Sequence, residues 1–401
     1  MNDILITSFD MEVGGVERSL ISMLRHFDYS RNNVDLMLYS HSGELFDLLP
    51  AEVNVLEESK PYKTFRMPID QTFKSGKIGL GAARLRAKYK AMKSKSNEPG
   101  YRQMQWMWKY GLPYLPKLEK KYDVAISYLW PHYTIAEKVE AETKIAWVHT
   151  DFSTVDTDAE LDREVWDQFD YIAAVSKDCR DAFITKYSSL QSKAIVIENI
   201  TSPDSVRELA EDDVDNPMTT DKRFKLITVA RLSHAKGIDQ AVIALKMLKD
   251  KGYDDFVWYV VGYGGDEAML RALISESGLT DNFILLGKKT NPYPYIKSAD
   301  LYVQPSRYEG KAVTVGEAQI LAKPVLITNY PTAKSQVIDG YDGVICHLSA
   351  EGIASGIERL YKNAGLRRQL AENCSRKNFH NRQELEKLYE LIREGAGDAA
   401  R

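Results

Sequence analysis

Twelve short apolar runs, most of them four to six residues long, punctuate this chain, with helix-length sequence between most neighbours. They fall at 3–9, 34–39, 124–127, 144–148, 171–175 and 194–197 in the first half. In the second half they fall at 224–229, 256–261, 283–286, 301–304, 325–328 and 344–346. Runs this short and continuously apolar belong to strands buried on both faces. Helical periods between them mean crossover connections, so each half reads as a parallel sheet covered by helices. The predicted helices include 16–27, 238–249, 267–276 and 315–321. The stretch 202–221 is polar and acidic with two prolines, and reads as a linker. Two α/β domains joined by a linker imply a cleft.

Composition sets the outer limits. A chain of 401 residues can bury two full cores, and 44% apolar with 27% charged residues is ordinary for a soluble protein. Cys179, Cys346 and Cys374 are far apart and form no Cys-x-x-Cys pair, which argues against a disulfide framework or structural zinc. A reducing cytoplasm fits. The amino terminus enters a strand with no basic segment before it, so no signal peptide is expected. No apolar run approaches the roughly 20 residues of a membrane span. The net charge of −4 is unevenly distributed: residues 60–121 carry sixteen Lys/Arg against Asp70, Glu98 and Glu119, an excess of +13.

The chemistry concentrates where strands end. Asp300 to Ser306 reads as a buried strand closing at Pro305-Ser306. Tyr308-Glu309-Gly310-Lys311-Ala312-Val313-Thr314-Val315-Gly316-Glu317 then turns into a helix. Ligands of open α/β sheets bind at the carboxyl ends of strands. Backbone N–H groups there hold phosphate, and carboxylates accept from sugar hydroxyls. Gly14-Gly15 lies at the first strand-to-helix turn and reads either as a ligand-facing loop or as a tight turn. His149 directly follows the strand 144–148, and Asp151 can orient it or cap the next helix. Arg231 and Lys236 straddle another strand-to-helix turn, where a planar fork and a point charge suit a diphosphate. Gly262-Tyr263-Gly264-Gly265 is a turn that either clears room for a nucleotide or simply connects strand to helix. Gly287-Lys288-Lys289 ends a further strand. Asp156-Thr157-Asp158 has the look of a metal-binding D-x-D pair, but it lies in a loop before a helix, and Asp158 reads as that helix's N-cap.

Five of these motifs, in chain order, resemble the retaining glycosyltransferases of family 4: Gly14-Gly15, the strand end at His149, the turn from Arg231 to Lys236, the turn at Gly262, and the E-x7-E signature at Glu309 and Glu317. The resemblance implies the GT-B fold: α/β, two Rossmann-like domains facing across a cleft, the C-terminal helix crossing back to the first domain. The domains would be 1–205 with a basic insert at 60–121, and 222–379. The candidate for the returning helix is 383–393 within 380–401, and 395–401 reads as a frayed tail. It further implies that His149 hydrogen-bonds the donor sugar, that Arg231 and Lys236 hold its diphosphate, and that Glu309 positions the sugar in a front-face, retaining reaction. Gly14, Gly15, Gly262, Lys288, Gly310, Lys311, Ala312, Val313, Thr314 and Glu317 would complete the donor site. Lys311 departs from the small or apolar residue usual in that family. A UDP- or GDP-sugar is the expected co-substrate, with no cofactor and no metal.

Residues 73–121 interleave their cations with aromatics and methionines. The pattern reads either as a solvated helical face with its aromatics packed in the core or, the expectation adopted, as a surface for an anionic membrane with Arg84, Arg86, Lys88 and Lys90 on it; no nucleic-acid motif accompanies the charge. The expectation is a metal-independent glycosyltransferase at the inner face of the cell membrane, acting on a lipid-linked glycan or glycolipid in cell-envelope polysaccharide synthesis. A nucleotide-sugar epimerase of the same fold and an inactive nucleotide-sugar-binding scaffold are the alternatives.

Overall fold

The structure, a computed structural model, describes residues 1–94 and 99–398. It divides into two compact units. The first comprises Met1–Glu12, Val16–Ile200 and Arg382–Arg401; the second comprises Val13–Gly15 and Thr201–Asn381.

The first unit is built on β1 (Asn2–Ser8), β2 (Asn32–Leu38), β3 (Asn54–Val55), β4 (Tyr122–Ser127), β5 (Ala141–Val148), β6 (Tyr171–Ala174) and β7 (Ala194–Val196). Every pairing is parallel, in the order β3-β2-β1-β4-β5-β6-β7. The two-residue β3 is too short to leave a sequence pattern. The second unit has β8 (Phe224–Val229), β9 (Phe256–Val261), β10 (Phe283–Gly287), β11 (Leu301–Gln304), β12 (Val325–Thr328) and β13 (Val344–Cys346). These are again all parallel, in the order β10-β9-β8-β11-β12-β13. In both sheets the strand order reverses beside the unit's first strand, at β1/β4 and at β8/β11. Reversal splays the neighbouring loops apart and leaves a crevice at the carboxyl ends.

Three expectations need correction. The stretch 202–221 is not a free linker. It contains the helix Pro203–Leu209, and Val206, Ala210 and Met218 are buried in the core of the second unit. Asn216 Nδ2 donates to Pro294 O and to Ser298 Oγ. The acidic residues from Asp204 to Asp215 are exposed, and they mask the few apolar anchors in the sequence, while Asp221 turns inward to Arg223 and Tyr259. The final helix runs Gln383–Asp398, beyond the end given by the apolar pattern, so 395–398 is helical; positions 399–401 lie outside the described residues. That helix seats on the first unit: Tyr389 OH accepts from Asp28 N at 2.7 Å, and its ring meets Phe27 edge-on.

The third correction concerns the insert, whose Lys95 and Glu98 lie outside the described residues. Its helices Ile78–Lys93 and Pro99–Gly111 pack together. Trp108, read as part of a surface, is fully buried, stacked on Phe65 at 4.1 Å between centroids and close to Tyr39 and Tyr62. Arg84 is not a surface cation either. Its guanidinium donates to Thr64 O and to Thr72 Oγ1, and burial pushes its pKa down. Arg86 and Lys90 do stay exposed, lying over the rings of Tyr110 and Trp106. Lys88 is exposed as well. No helix among the described residues is long and apolar enough to cross a membrane.

Candidate active site

Parallel pairing of β8 with β11 brings two loops side by side that are about seventy residues apart in sequence. After β8 the chain passes Arg231, which is exposed, and makes a tight turn at His234–Lys236. Gly237 then caps the helix Ile238–Asp250 with φ +64°. A Cβ there would lie 2.0 Å from Pro305 O in the β11 loop, so only glycine allows the two loops this approach.

The approach puts Lys236 on Glu309. The ammonium lies 2.7 Å from Oε1 and 2.6 Å from Oε2. Ser306 Oγ donates to Oε1 at 2.6 Å, and Gln304 Nε2 donates to the same oxygen at 3.1 Å. Tyr302 OH donates to Gln304 Oε1 at 2.7 Å, which fixes the amide with its NH2 toward Glu309. The chain Tyr302–Gln304–Glu309 is thus a buried relay of donors ending on one carboxylate oxygen. Glu309 itself is 7% exposed. A carboxylate held this way is oriented before any ligand arrives.

The rest of the predicted loop is held from behind. Thr332 Oγ1 donates to Glu309 O, while Gln336 accepts from Ala312 N and donates to Ala312 O. Gly310 and Ala312 are buried, and Lys311 is half-buried. The helix Val313–Ile320 follows; Thr314 Oγ1 pairs with Tyr302 OH, and Glu317 accepts from Tyr293 OH at 2.7 Å. On the other side Arg307 forks onto both oxygens of Asp239 at 2.8 and 2.6 Å, and so ties the β11 loop to the helix after Lys236.

The glycine turn after β9 has a structural cause. Gly262 adopts φ +151°, and a Cβ there would lie 1.9 Å from Ala230 O. Leu232 N donates to Tyr263 O at 2.9 Å. The glycine therefore lets the β8 and β9 loops touch. Lys288, after β10, lies over the Tyr263 ring at 4.8 Å.

In the first unit, His149 stands just past β5 with its ring against Tyr128, 4.7 Å between centroids. Burial pushes its pKa down to about 3, against a smaller upward pull from a hydrogen bond to the Tyr128 backbone. Nε2 is buried and has no hydrogen-bond partner among the described residues. Nδ1 therefore carries the proton toward Tyr128, and Nε2 presents a lone pair. Asp151 neither caps a helix nor reaches this ring by a hydrogen bond among the described residues. Its Oδ1 accepts from Ser153 N at 2.9 Å, and its Oδ2 is buried with no hydrogen-bond partner among the described residues. His132 was not singled out from the sequence, yet burial, reinforced by His149, lowers its pKa to about 3 too. Gly14, which groups with the second unit, ends the turn after β1, and Gly15 opens the helix Gly15–Arg25. The D-x-D pair is otherwise engaged. Asp158 caps the helix Ala159–Trp166, and Asp156 receives the Arg102 fork at 3.0 and 2.7 Å.

Sequence reasoning missed Gln304, Ser306, Thr332, Gln336 and the Arg307–Asp239 pair. Ser306 was within reach of inspection, three residues before Glu309. Thr332 and Gln336 come from the loop after β12 and carry no local signal.

Comparison with known proteins points to one group. Residues 211–377 match the family model described as glycosyl transferases group 1. The chain is 24% identical over 242 residues to the capsular polysaccharide biosynthesis glycosyltransferase CapM of Staphylococcus aureus, covering 56% of this chain and 63% of that protein. It is 28% identical over 161 residues to N,N'-diacetylbacillosaminyl-diphospho-undecaprenol alpha-1,3-N-acetylgalactosaminyltransferase of Campylobacter jejuni, covering 39% and 41%. These matches span about half the length of the curated relatives. Among solved structures, Anabaena Alr3699/HepE in complex with UDP and glucose superposes with a TM-score of 0.69 at 16% identity, covering 98% of this chain and 100% of that one. At that identity the likeness establishes the fold, that of the GT-B glycosyltransferases.

Proposed function

We propose that this chain is a retaining, metal-independent glycosyltransferase. It takes a UDP- or GDP-sugar as donor and a lipid-linked glycan or glycolipid as acceptor, in cell-envelope polysaccharide synthesis. The observation that carries the reading is the Lys236–Glu309 couple at the β8/β11 switch point, inside the segment that matches glycosyl transferases group 1. The names of the relatives agree with a glycan product and, for one of them, with a diphospho-undecaprenol acceptor.

In this reading the ammonium of Lys236 changes partner when the donor binds. It leaves the carboxylate for the diphosphate, where Arg231 joins it, and the two cations stabilise the charge that grows as the sugar–phosphate bond breaks. Glu309, still held at Oε1 by Ser306 and Gln304, then offers Oε2 to the sugar. The leaving phosphate takes the acceptor proton on the same face, so configuration is retained. Glu317 reaches the ribose, and the backbone of Gly310–Thr314 with the turns at Gly14-Gly15, Gly262 and Lys288 lines the donor. In the first unit, Nε2 of His149 accepts from a sugar hydroxyl. Arg86, Lys88 and Lys90 meet the anionic inner face of the cell membrane.

The test is turnover with UDP- and GDP-sugars and an undecaprenyl-linked glycan, with the product's anomeric configuration read by NMR. Transfer with the donor's configuration is expected. An inverted product, or donor consumed and interconverted without acceptor, overturns the reading. Lys236→Ala should lower turnover and weaken binding of the free nucleoside diphosphate together.

A further inference from the structure

The helix Ile78–Lys93 is apolar on two opposite faces. Leu80, Ala83, Ala87 and Ala91 are buried. Starting from that stripe at about 100° per residue, the opposite side carries Ile78, Ala82, Leu85, Tyr89 and Met92, spaced alternately by four and three. This second stripe is in water: Ile78 is 69% exposed, Leu85 49%, Tyr89 60% and Met92 74%, and Ala82 is exposed as well. Cations border it on both sides, Lys88 along one edge and Arg86, Lys90 and Lys93 along the other, all exposed. Lys93 Nζ sits 4.4 Å from the centroid of the Tyr89 ring. The helix contains five cations and no acid.

A contiguous exposed apolar stripe of this kind marks a binding surface. Its borders select the occupant. A second copy would bring one row of cations against another, which is repulsive. An anionic bilayer satisfies both features, taking the stripe into its acyl boundary while the cations meet headgroups. We propose that the helix Ile78–Lys93 inserts its Ile78–Met92 stripe into an anionic lipid surface. The inference rests on the membrane part of the proposed function but goes beyond charge attraction: part of the binding is hydrophobic and survives salt. Arg84 takes no part, because it secures the helix to the rest of the insert through Thr64 and Thr72.

The full chain is floated with vesicles of equal parts phosphatidylcholine and phosphatidylglycerol, at low and at high salt. A Met92→Cys variant carries an environment-sensitive dye, and selective labelling is feasible because the three native cysteines are buried. Expected are flotation that salt reduces without abolishing, and a blue shift of the dye on vesicle addition. Leu85→Glu should lower the salt-resistant partitioning by about tenfold or more, and Lys88→Glu should lower only the salt-sensitive part. Both positions are exposed, and an unchanged thermal midpoint confirms that the variants fold. Flotation without a blue shift, or flotation abolished by salt, overturns insertion and leaves charge attraction standing. Absence of flotation at low salt overturns the membrane reading altogether. Concentration-dependent self-association, lost in Leu85→Glu, would make a second copy the occupant and overturn the proposal too.

Discussion

The two sheets share a strand order and treat their strand-end polar groups in opposite ways. At the β8/β11 switch point the candidate carboxylate is engaged on both oxygens: Ser306, Gln304 and Lys236 converge on Glu309, and Tyr302 stands behind Gln304. At the carboxyl end of β5, polar atoms are buried and left open, with Nε2 of His149 and Oδ2 of Asp151 lacking partners among the described residues. A carboxylate with donors on both oxygens is held rigid. An open neutral imidazole has a desolvated lone pair, and a hydroxyl from a ligand would satisfy it. At one strand end the polar groups satisfy one another; at the other, buried acceptors stand unpaired among the described residues.

The strongest challenge to that contrast is to cut the engaged network. Glu309→Gln keeps the shape and most hydrogen bonds but removes the charge, and should lower kcat by about a hundredfold or more. Ser306→Ala leaves the carboxylate charged but less fixed and should cost about tenfold, mostly in kcat. If both variants turn over at the parent rate, the network is scaffolding and the contrast fails.

Acid sharpens the other side. His132 and His149 have folded pKa values near 3, below the ordinary 6.5, so the unfolded chain takes up their protons first. Their contribution to stability is present above pH 6.5 and is lost as pH falls toward 3. Urea unfolding at about pH 7 and about pH 4.5 should therefore show a smaller loss in a His132→Gln, His149→Gln variant than in the parent, by on the order of 2 kcal/mol per histidine. Parallel losses in the two proteins would mean that these rings are not held neutral by burial.

The smallest effect concerns the decoy carboxylates. Asp158→Ala removes a helix cap and should lower stability by about 1 kcal/mol. Transfer by this variant, and by the parent in EDTA, should be unaffected. Activity lost in EDTA and restored by Mn²⁺ would return Asp156 and Asp158 to the catalytic centre.

Several features were legible in the residues alone because their causes are local. Buried parallel strands such as Phe256–Val261 announce themselves by a continuous apolar run, and Asp158 by its place before an amphipathic helix. The turn glycines and Glu309 stand at strand ends that the same runs define. What could not be read was which groups meet. Lys236 reaches Glu309 across 73 positions only because β8 pairs with β11. Arg84 and Lys88 are one turn apart on the same helix, and only packing half-buries the first and exposes the second. The sequence by itself determined the α/β architecture, the strand-end positions of the candidate site residues and the charge of the insert, since those depend on neighbours within a few residues. Tertiary structure alone decided that Lys236 sits on Glu309, that 202–221 belongs to a core, that Trp108 is buried and that a second apolar stripe is exposed. Each of those follows from sheet order and burial, which bring together groups whose separation along the chain carries no local signal.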